Sequence, residues 1–215
     1  MVNFVHATEL SQEENLNALE HAGVTSEFYK NKPSAYNGSK KEGCLAGVRG
    51  EIAATNFLLK LFEGESDYLV RQNTWRKELK DRLFINVEGV PKIGDVQIIH
   101  TPTGVSVPIE VKTVGPSTWN DGWKLMIPPA QADGYALTKA ILFWCRAPNT
   151  EDGKSVEVVG WNTIEEFNQN FVLKHTRCKN RMLKSEELMR TCADELKKHV
   201  IDRINGDIQR VTSAK

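Results

Sequence analysis

KIGDVQIIHTPTGVSVPIEVKTV, residues 92–114, is the stretch that decides the fold of this chain. Apolar and polar residues largely alternate along 93–100 and again along 105–114, which is the period of a β-strand with one buried face. Proline and glycine within 102–104 separate the two segments and favour a tight turn. The stretch therefore predicts a β-hairpin.

The same alternation sorts the side chains of this hairpin onto two faces. Alternate residues of a strand share a face, so the valines and isoleucines of both segments are predicted to enter the core. Asp95 and Gln97 of the first strand then project from the opposite face, and so do Glu110 and Lys112 of the second. Carboxylates on one surface repel each other. A hard divalent cation such as Mg²⁺, which prefers oxygen ligands, would remove that repulsion.

Two acids and a lysine around such a cation suit the hydrolysis of a phosphodiester. A metal on Asp95 and Glu110 could activate a water and neutralise charge in the transition state. Lys112 could orient or deprotonate that water, because a neighbouring cation lowers the pKa of a lysine. The alternative is that the three residues form an ion-pair ladder on the surface of the hairpin.

Patterns elsewhere in the chain predict a series of helices. Residues 45–62 carry apolar side chains at three- and four-residue steps, which is typical of a helix with one buried face. Ser11 with Glu14, and Thr163 with Glu166, form capping boxes that mark helix starts. The predicted helices are 11–21, 45–62, 128–137, 163–168 and 185–205.

Strands predicted between these helices complete the fold class. The predicted strands are 68–75, 93–100, 105–114, 140–145 and 156–161. Their order predicts an α/β fold in which a central mixed β-sheet is flanked by helices, with further helices towards the N- and C-terminal ends. We expect an N-terminal helix and loop at 1–44, a core at 45–170, and a basic segment with a C-terminal helix packed on the core at 171–215.

Charge is balanced overall but uneven along the chain. The 28 basic and 28 acidic residues give no global attraction to nucleic acid. No acidic residue lies between 167 and 185, where Lys174, Arg177, Lys179 and Arg181 cluster. This basic segment predicts contacts with DNA phosphates, the alternative being solvated surface.

Two further basic clusters surround Arg49 and Arg71 and would add to a basic surface. No apolar stretch approaches the length of a membrane span, and the N-terminus lacks the features of a secretory signal. We therefore expect an intracellular, cytoplasmic protein without a membrane partner.

The cysteines form no CxxC pair, which favours buried free thiols. His175, Cys178, Cys192 and His199 are four possible zinc ligands, but their spacing matches no common zinc motif.

The hairpin resembles the central motif of the PD-(D/E)XK nuclease superfamily. Asp95 stands where the motif has the aspartate of its Pro-Asp, although Gly94 replaces the proline. After fourteen residues, Glu110, Val111 and Lys112 match the ExK element. The resemblance implies a restriction-endonuclease-like fold and Mg²⁺-dependent cleavage of DNA, with Mn²⁺ as a substitute metal.

Three residues outside the hairpin extend the resemblance over roughly residues 45–170. Glu51 lies on the preceding predicted helix, where the family often has another acidic ligand. Gln131 and Tyr135 match the QxxxY element of the RecB-like and lambda-exonuclease branches. One helical turn separates them, so they share a face. A surface pair at Gln131 and Tyr135, and a salt bridge at Glu51, are the structural alternatives.

The resemblance assigns roles to these residues. Its implied catalytic set is Asp95, Glu110, Lys112, Glu51 and Gln131. Its implied metal ligands are Asp95, Glu110, Val111 and Glu51. Its DNA contacts would include Tyr135, together with the four basic residues of the segment described above.

Three functions follow from the sequence. The first is an endonuclease of restriction, homing or recombination type, which a homodimer would suit because two symmetry-related sites can cut both strands. The second is a catalytically silent PD-(D/E)XK-like module for DNA binding or assembly. The third is a metal-free protein-interaction domain.

Overall fold

A computed structural model describes residues 6–30, 41–73, 89–115, 126–148, 150–175 and 179–213. Its strands are β1 (His6–Glu9), β2 (Tyr68–Gln72), β3 (Val96–His100), β4 (Ser106–Val114), β5 (Met126–Ile127), β6 (Ile141–Arg146), β7 (Ser155–Thr163), β8 (Phe171–His175) and β9 (Lys179–Leu183). Its α-helices are α1 (Gln12–Lys30), α2 (Lys41–Leu61), α3 (Pro129–Thr138), α4 (Ile164–Gln169) and α5 (Ala193–Ser213), with a 3₁₀ turn at Glu186–Leu188. Across these ranges no helix has both the length and the apolar character to cross a bilayer.

Six strands form a mixed central sheet in the order β1-β7-β6-β4-β3-β2. Strands β4 and β6 run parallel, and every other neighbouring pair is antiparallel. Helices α2 and α5 pack on one face through residues such as Leu58 and Val200. Helices α3 and α4 cover part of the other face around Trp144. The predicted α/β fold, a mixed sheet flanked by helices, is confirmed.

The hairpin of β3 and β4 has the predicted arrangement of faces. Its register pairs Val96 with Ile109. Val107, Ile109 and Val111 are buried in the core beneath α2, while Glu110 and Lys112 alternate with them and lie on the other face. The period of two therefore determined which side chains enter the core beneath α2.

A second sheet lies beside the first and was not predicted. Its three strands have the order β5-β9-β8. The basic segment thus forms the hairpin β8–β9, and its Leu183 joins the cluster around Trp144. Strand β1 was also not predicted, and it pairs with the outer edge of β7. The N-terminal part is therefore built into the central sheet.

The predicted limits of two helices were wrong: the first ends at Lys30, and the last spans Ala193–Ser213. Helix α1 continues past Gly23 to Lys30 because a glycine in a helix costs only about 1 kcal/mol, and Ala18 and Ala22 are buried in a cluster with residues of α2. The last helix begins at Ala193 instead of residue 185. The backbone of Arg190 exchanges hydrogen bonds with Trp161 of β7, which holds the preceding segment outside the helix.

Helix α2 approaches the sheet most closely at Gly50. A β-carbon at this position would lie 1.9 Å from Oγ1 of Thr113 in β4, and 3.0 Å from its Cβ. Rotation of the threonine could move the hydroxyl but not the Cβ. A β-carbon here would therefore force Thr113 or α2 to shift, so Gly50 sets the distance between α2 and the strand that carries Glu110 and Lys112.

We predict that Gly50→Ala destabilises the protein and that Gly47→Ala, one turn earlier in α2, does not. A β-carbon at Gly47 would meet no atom within 4 Å. Overpacking costs roughly 1–3 kcal/mol, and the gain in helix propensity of about 1 kcal/mol is common to both variants, so we expect Gly50→Ala to be less stable than Gly47→Ala by roughly 1–3 kcal/mol. Urea unfolding of both variants measures the difference. Equal stability of the two would disprove the close packing.

Candidate active site

The carboxylate of Asp95 is directed to β4 by its own backbone and by one hydrogen bond. Its N–H donates to the carbonyl of Ile109 at 3.0 Å. Its Oδ2 accepts from the N–H of Val111 at 2.8 Å. These two bonds place the side chain of Asp95 on the face from which Glu110 projects.

Gly94, which precedes Asp95, has a backbone conformation that a proline could not adopt. Its φ is +75°, and a β-carbon there would lie 2.8 Å from the carbonyl oxygen of Ile109. Proline is restricted to a φ near −65° and cannot adopt this conformation. A glycine before Asp95 is thus a requirement of the local backbone.

Glu110 and Asp95 form a pair of like charges at the surface of the sheet. Their side chains are hydrogen-bonded to each other, and the side chain of Glu110 is only 12% exposed. Burial and then the charge of Asp95 raise the pKa of Glu110 from 4.5 to about 7, while Lys112 opposes the rise. Such a pair favours either a shared proton or a bound cation.

Lys112 lies within this group as an ammonium ion. Its Nζ is 3.8 Å from Oε2 of Glu110. Burial by itself would lower the pKa of Lys112, but Asp95, Tyr135 and Glu110 outweigh burial and raise it. In this charge environment the lysine can orient a water or balance negative charge, and it holds its proton.

Helix α3 brings Gln131 and Tyr135 to the same place. Nζ of Lys112 lies 4.9 Å from the centre of the Tyr135 ring, a cation–π distance. The hydroxyl of Tyr135 donates to Oε1 of Gln131 at 3.3 Å, and it is also hydrogen-bonded to Glu110. The structure therefore unites five of the predicted site residues on one face of the sheet.

For Glu51 and Val111, two further predicted metal ligands, the metal-binding role stays a prediction. Val111 faces the core, and its N–H is the group that binds Asp95. Glu51 follows Gly50 on α2. In the portion of the chain covered by the structure, no three His, Cys, Asp or Glu side chains form a group that could hold a metal. The acidic centre is therefore the pair of Asp95 and Glu110, and the possible zinc set is not tested because Cys178 lies outside the described residues.

Two carboxylates still fit a magnesium ion. Mg²⁺ is commonly bound by one or two carboxylates, with waters and phosphate oxygens as its remaining ligands. Asp95 and Glu110 supply this number, and Glu110 is held next to a like charge that a divalent cation would neutralise. The donor set therefore suits a hard cation that keeps part of its hydration shell.

Gln97 pairs with Pro108, two residues before Glu110, so it lies on the predicted face of the hairpin, but its burial was not predicted. It is fully buried, and its Oε1 accepts hydrogen bonds from Arg71 and from Nδ2 of Asn73. Arg71 and Arg49, predicted to mark basic surface, are also fully buried. Each binds backbone carbonyls in the protein interior, which residue type alone could not reveal.

The basic hairpin β8–β9 lies beside α3. Lys174 and Lys179 are exposed. Arg181 forms an ion pair with Asp133 of α3 at 2.9 Å, so this predicted DNA contact has a structural partner. Arg177 lies outside the described residues. Asp133, which sequence reasoning missed, connects the hairpin to the helix that carries Gln131 and Tyr135.

Known proteins do not assign this chain to a family. No family model matches the chain, and no curated protein matches it either. The resemblance to PD-(D/E)XK nucleases therefore depends on these residues and their geometry alone.

We predict that Glu110→Gln reduces the loss of stability that the protein undergoes as pH rises. The pKa of Glu110 is raised from 4.5 to about 7, so the folded protein holds more protons than the unfolded chain between these values. Stability then falls as pH rises through this window. Near pH 8 without divalent ions, the variant should be more stable than the wild type by up to about 3 kcal/mol.

Urea unfolding near pH 4.5 and pH 8 in the presence of a chelator tests this expectation. The greater stability of the variant should vanish at the lower pH. If the variant were more stable than the wild type by the same amount at both pH values, the pKa of Glu110 would not be raised in the folded protein.

Proposed function

We propose that this protein is a Mg²⁺-dependent DNA nuclease that hydrolyses phosphodiester bonds inside the cell. The observation that carries the proposal is the meeting of Asp95, Glu110 and Lys112 on one face of the sheet. Two neighbouring carboxylates repel each other and destabilise a fold. Binding of a divalent cation would be a functional reason for keeping them together.

Asp95 and Glu110 would hold the cation. When bound, Mg²⁺ supplies an activated water and neutralises charge on the phosphate. Glu110 must lose its proton to bind a cation, and a pKa near 7 makes that loss easy at neutral pH. Metal affinity should therefore rise with pH.

Lys112 would act as a fixed positive charge beside the scissile phosphate. Glu110 and the ring of Tyr135 hold its ammonium group in place. A preorganised cation stabilises charge that develops on a phosphate oxygen without the cost of reorganisation. Tyr135 and Gln131, linked by a hydrogen bond, would line the same site.

The hairpin β8–β9 would hold the DNA. Exposed Lys174 and Lys179 lie on a segment without acidic residues, next to α3. Contacts of lysines with phosphates position a duplex without reading its sequence. We propose an endonuclease of restriction, homing or recombination type, which a homodimer would allow to cut both strands.

A catalytically silent DNA-binding or assembly module is the second candidate. The observation that favours it is that Asp95 and Glu110 are joined by no third acidic ligand in the described part of the chain. The position of Lys112 argues against this candidate, because a DNA-binding module does not require a partly buried lysine next to two acids.

We predict that Lys112→Ala binds DNA but cuts it about 100-fold more slowly or worse, because removing one preorganised donor costs roughly 10²–10³ in rate. Purified protein is incubated with supercoiled, linear and branched DNA, with and without Mg²⁺. Lys60→Ala is the control, since Lys60 is exposed at the last turn of α2 and should cut at the wild-type rate.

Two outcomes would count against the proposal in different ways. Cutting by Lys112→Ala at the wild-type rate would remove the assigned role of the lysine. Mg²⁺-independent DNA binding without any cutting by the wild type would favour the silent module.

We predict that Lys179→Ala weakens DNA binding and lowers the slope of log affinity against log salt by about 1, the loss expected for one phosphate contact. Fluorescence anisotropy with labelled duplex in a chelator measures both quantities. Lys60→Ala should keep the wild-type slope. An unchanged slope for Lys179→Ala would place the DNA elsewhere on the protein.

A further inference from the structure

A buried polar network lies directly behind the segment that leads to Asp95. Gln97 of β3 is its centre, with Arg71 of β2 and Asn73, the residue that follows β2. All three residues are between 0 and 4% exposed. Such a network is unusual in a core, because a buried polar group is costly unless its hydrogen bonds are made.

Gln97 makes hydrogen bonds with both ends of its amide. Its Oε1 accepts from Arg71, from Nδ2 of Asn73 at 2.9 Å and from the N–H of Ile93 at 3.2 Å. Its Nε2 donates to the carbonyl of Pro91 and to the hydroxyl of Ser106, both at 3.1 Å. One side chain thus connects β2, the segment before β3, and β4.

Asn73 reaches the residues next to Asp95. Its Nδ2 donates to the carbonyls of Ile93 at 3.1 Å and Gly94 at 2.9 Å. Its backbone N–H donates to the carbonyl of Asp95 at 2.8 Å. Three successive carbonyls, ending with that of Asp95, are therefore held by one residue.

This turn needs such support. Gly94 has a φ of +75°, a conformation outside the regular strand, and β3 begins only at Val96. The direction of the Asp95 side chain follows from the backbone of this turn. Its 2.8 Å bond to the N–H of Val111 requires that the turn stay in place.

Stability alone does not explain the network. Arg71 is fully buried, and within the described ranges it has no carboxylate partner and its Nε makes no hydrogen bond. Burial lowers the pKa of Arg71, which reflects this cost. A well-packed apolar pair often stabilises a core as well as buried charges do or better. The network is therefore better explained by the geometry that it imposes.

We propose that Asn73 and Gln97 are positioning residues that set the carboxylate of Asp95 for divalent-cation binding. The inference builds on the proposed nuclease function, and it adds residues that touch neither metal nor DNA. Partners that orient a metal ligand typically change metal affinity by about 10–100-fold when they are mutated.

The chain offers a matched control in a second buried arginine network. Arg49 is also fully buried, and its Nε and Nη2 donate to Oδ1 of Asn15 at 3.0 and 2.7 Å. Asn15 is 6% exposed and Asn73 is 4% exposed. Asn15→Ala and Asn73→Ala thus remove the same group from similar surroundings, and only Asn73 contacts the turn before Asp95.

The test compares these two variants in the full chain. Calorimetric titration with Mn²⁺ should show at least about tenfold weaker binding for Asn73→Ala and wild-type binding for Asn15→Ala. Hydrogen exchange of the Val111 amide should be at least about tenfold faster in Asn73→Ala alone, since its partner is the Asp95 carboxylate. Urea unfolding checks that both variants lose similar stability.

The outcomes separate this proposal from the nuclease function. Should the wild type bind no Mn²⁺, the nuclease proposal fails, and the exchange of Val111 still decides whether Asn73 positions Asp95. Wild-type Mn²⁺ affinity and Val111 exchange in Asn73→Ala would overturn the positioning role, as would equal losses in Asn15→Ala.

If Asn73→Ala does not fold, Gln97→Glu is measured in the same way. That variant keeps an oxygen for Arg71 and Asn73 but loses the donor to Pro91 and Ser106. It should show a smaller change in the same direction, and wild-type values in both measurements would overturn the proposal.

Discussion

The hydrogen bond from the N–H of Val111 to Oδ2 of Asp95 is the constraint on which the candidate site depends. It holds the aspartate, which precedes β3, against a backbone group of β4. Because Val111 directly follows Glu110, this bond places two carboxylates side by side. Burial, and then the charge of Asp95, raise the pKa of Glu110, and the two acids with Tyr135 raise that of Lys112.

The arrangement of charges at the site lowers the stability of the fold. Burial and the charge of Asp95 raise the pKa of Glu110 to about 7, and Lys112 only partly offsets the rise. Helix α3 covers the lysine with Tyr135 and limits its contact with water. Groups with strongly shifted pKa values, clustered in this way, are more often found at functional sites than in ordinary core packing.

Buried arginines hold two other parts of the molecule. Arg49 binds the carbonyls of Pro148 and Thr150 in the connection after β6, and Arg71 binds those of Val90 and Pro91 before Asp95. A guanidinium has five donors in a fixed plane and can hold several carbonyls of an irregular segment at once. Clusters of basic residues in the sequence predicted an exposed basic surface, and for Arg49 and Arg71 that prediction was wrong.

The sequence by itself determined the hairpin, the faces of its strands and the capping boxes at Ser11 and Thr163, because periodicity and capping act between residues close in the chain. It also predicted that Asp95, Glu110 and Lys112 share one face. Only the tertiary structure decided the burial of Gln97 and the second sheet. These depend on partners distant in sequence, such as Arg71 for Gln97, and no local pattern records which partner a side chain will meet.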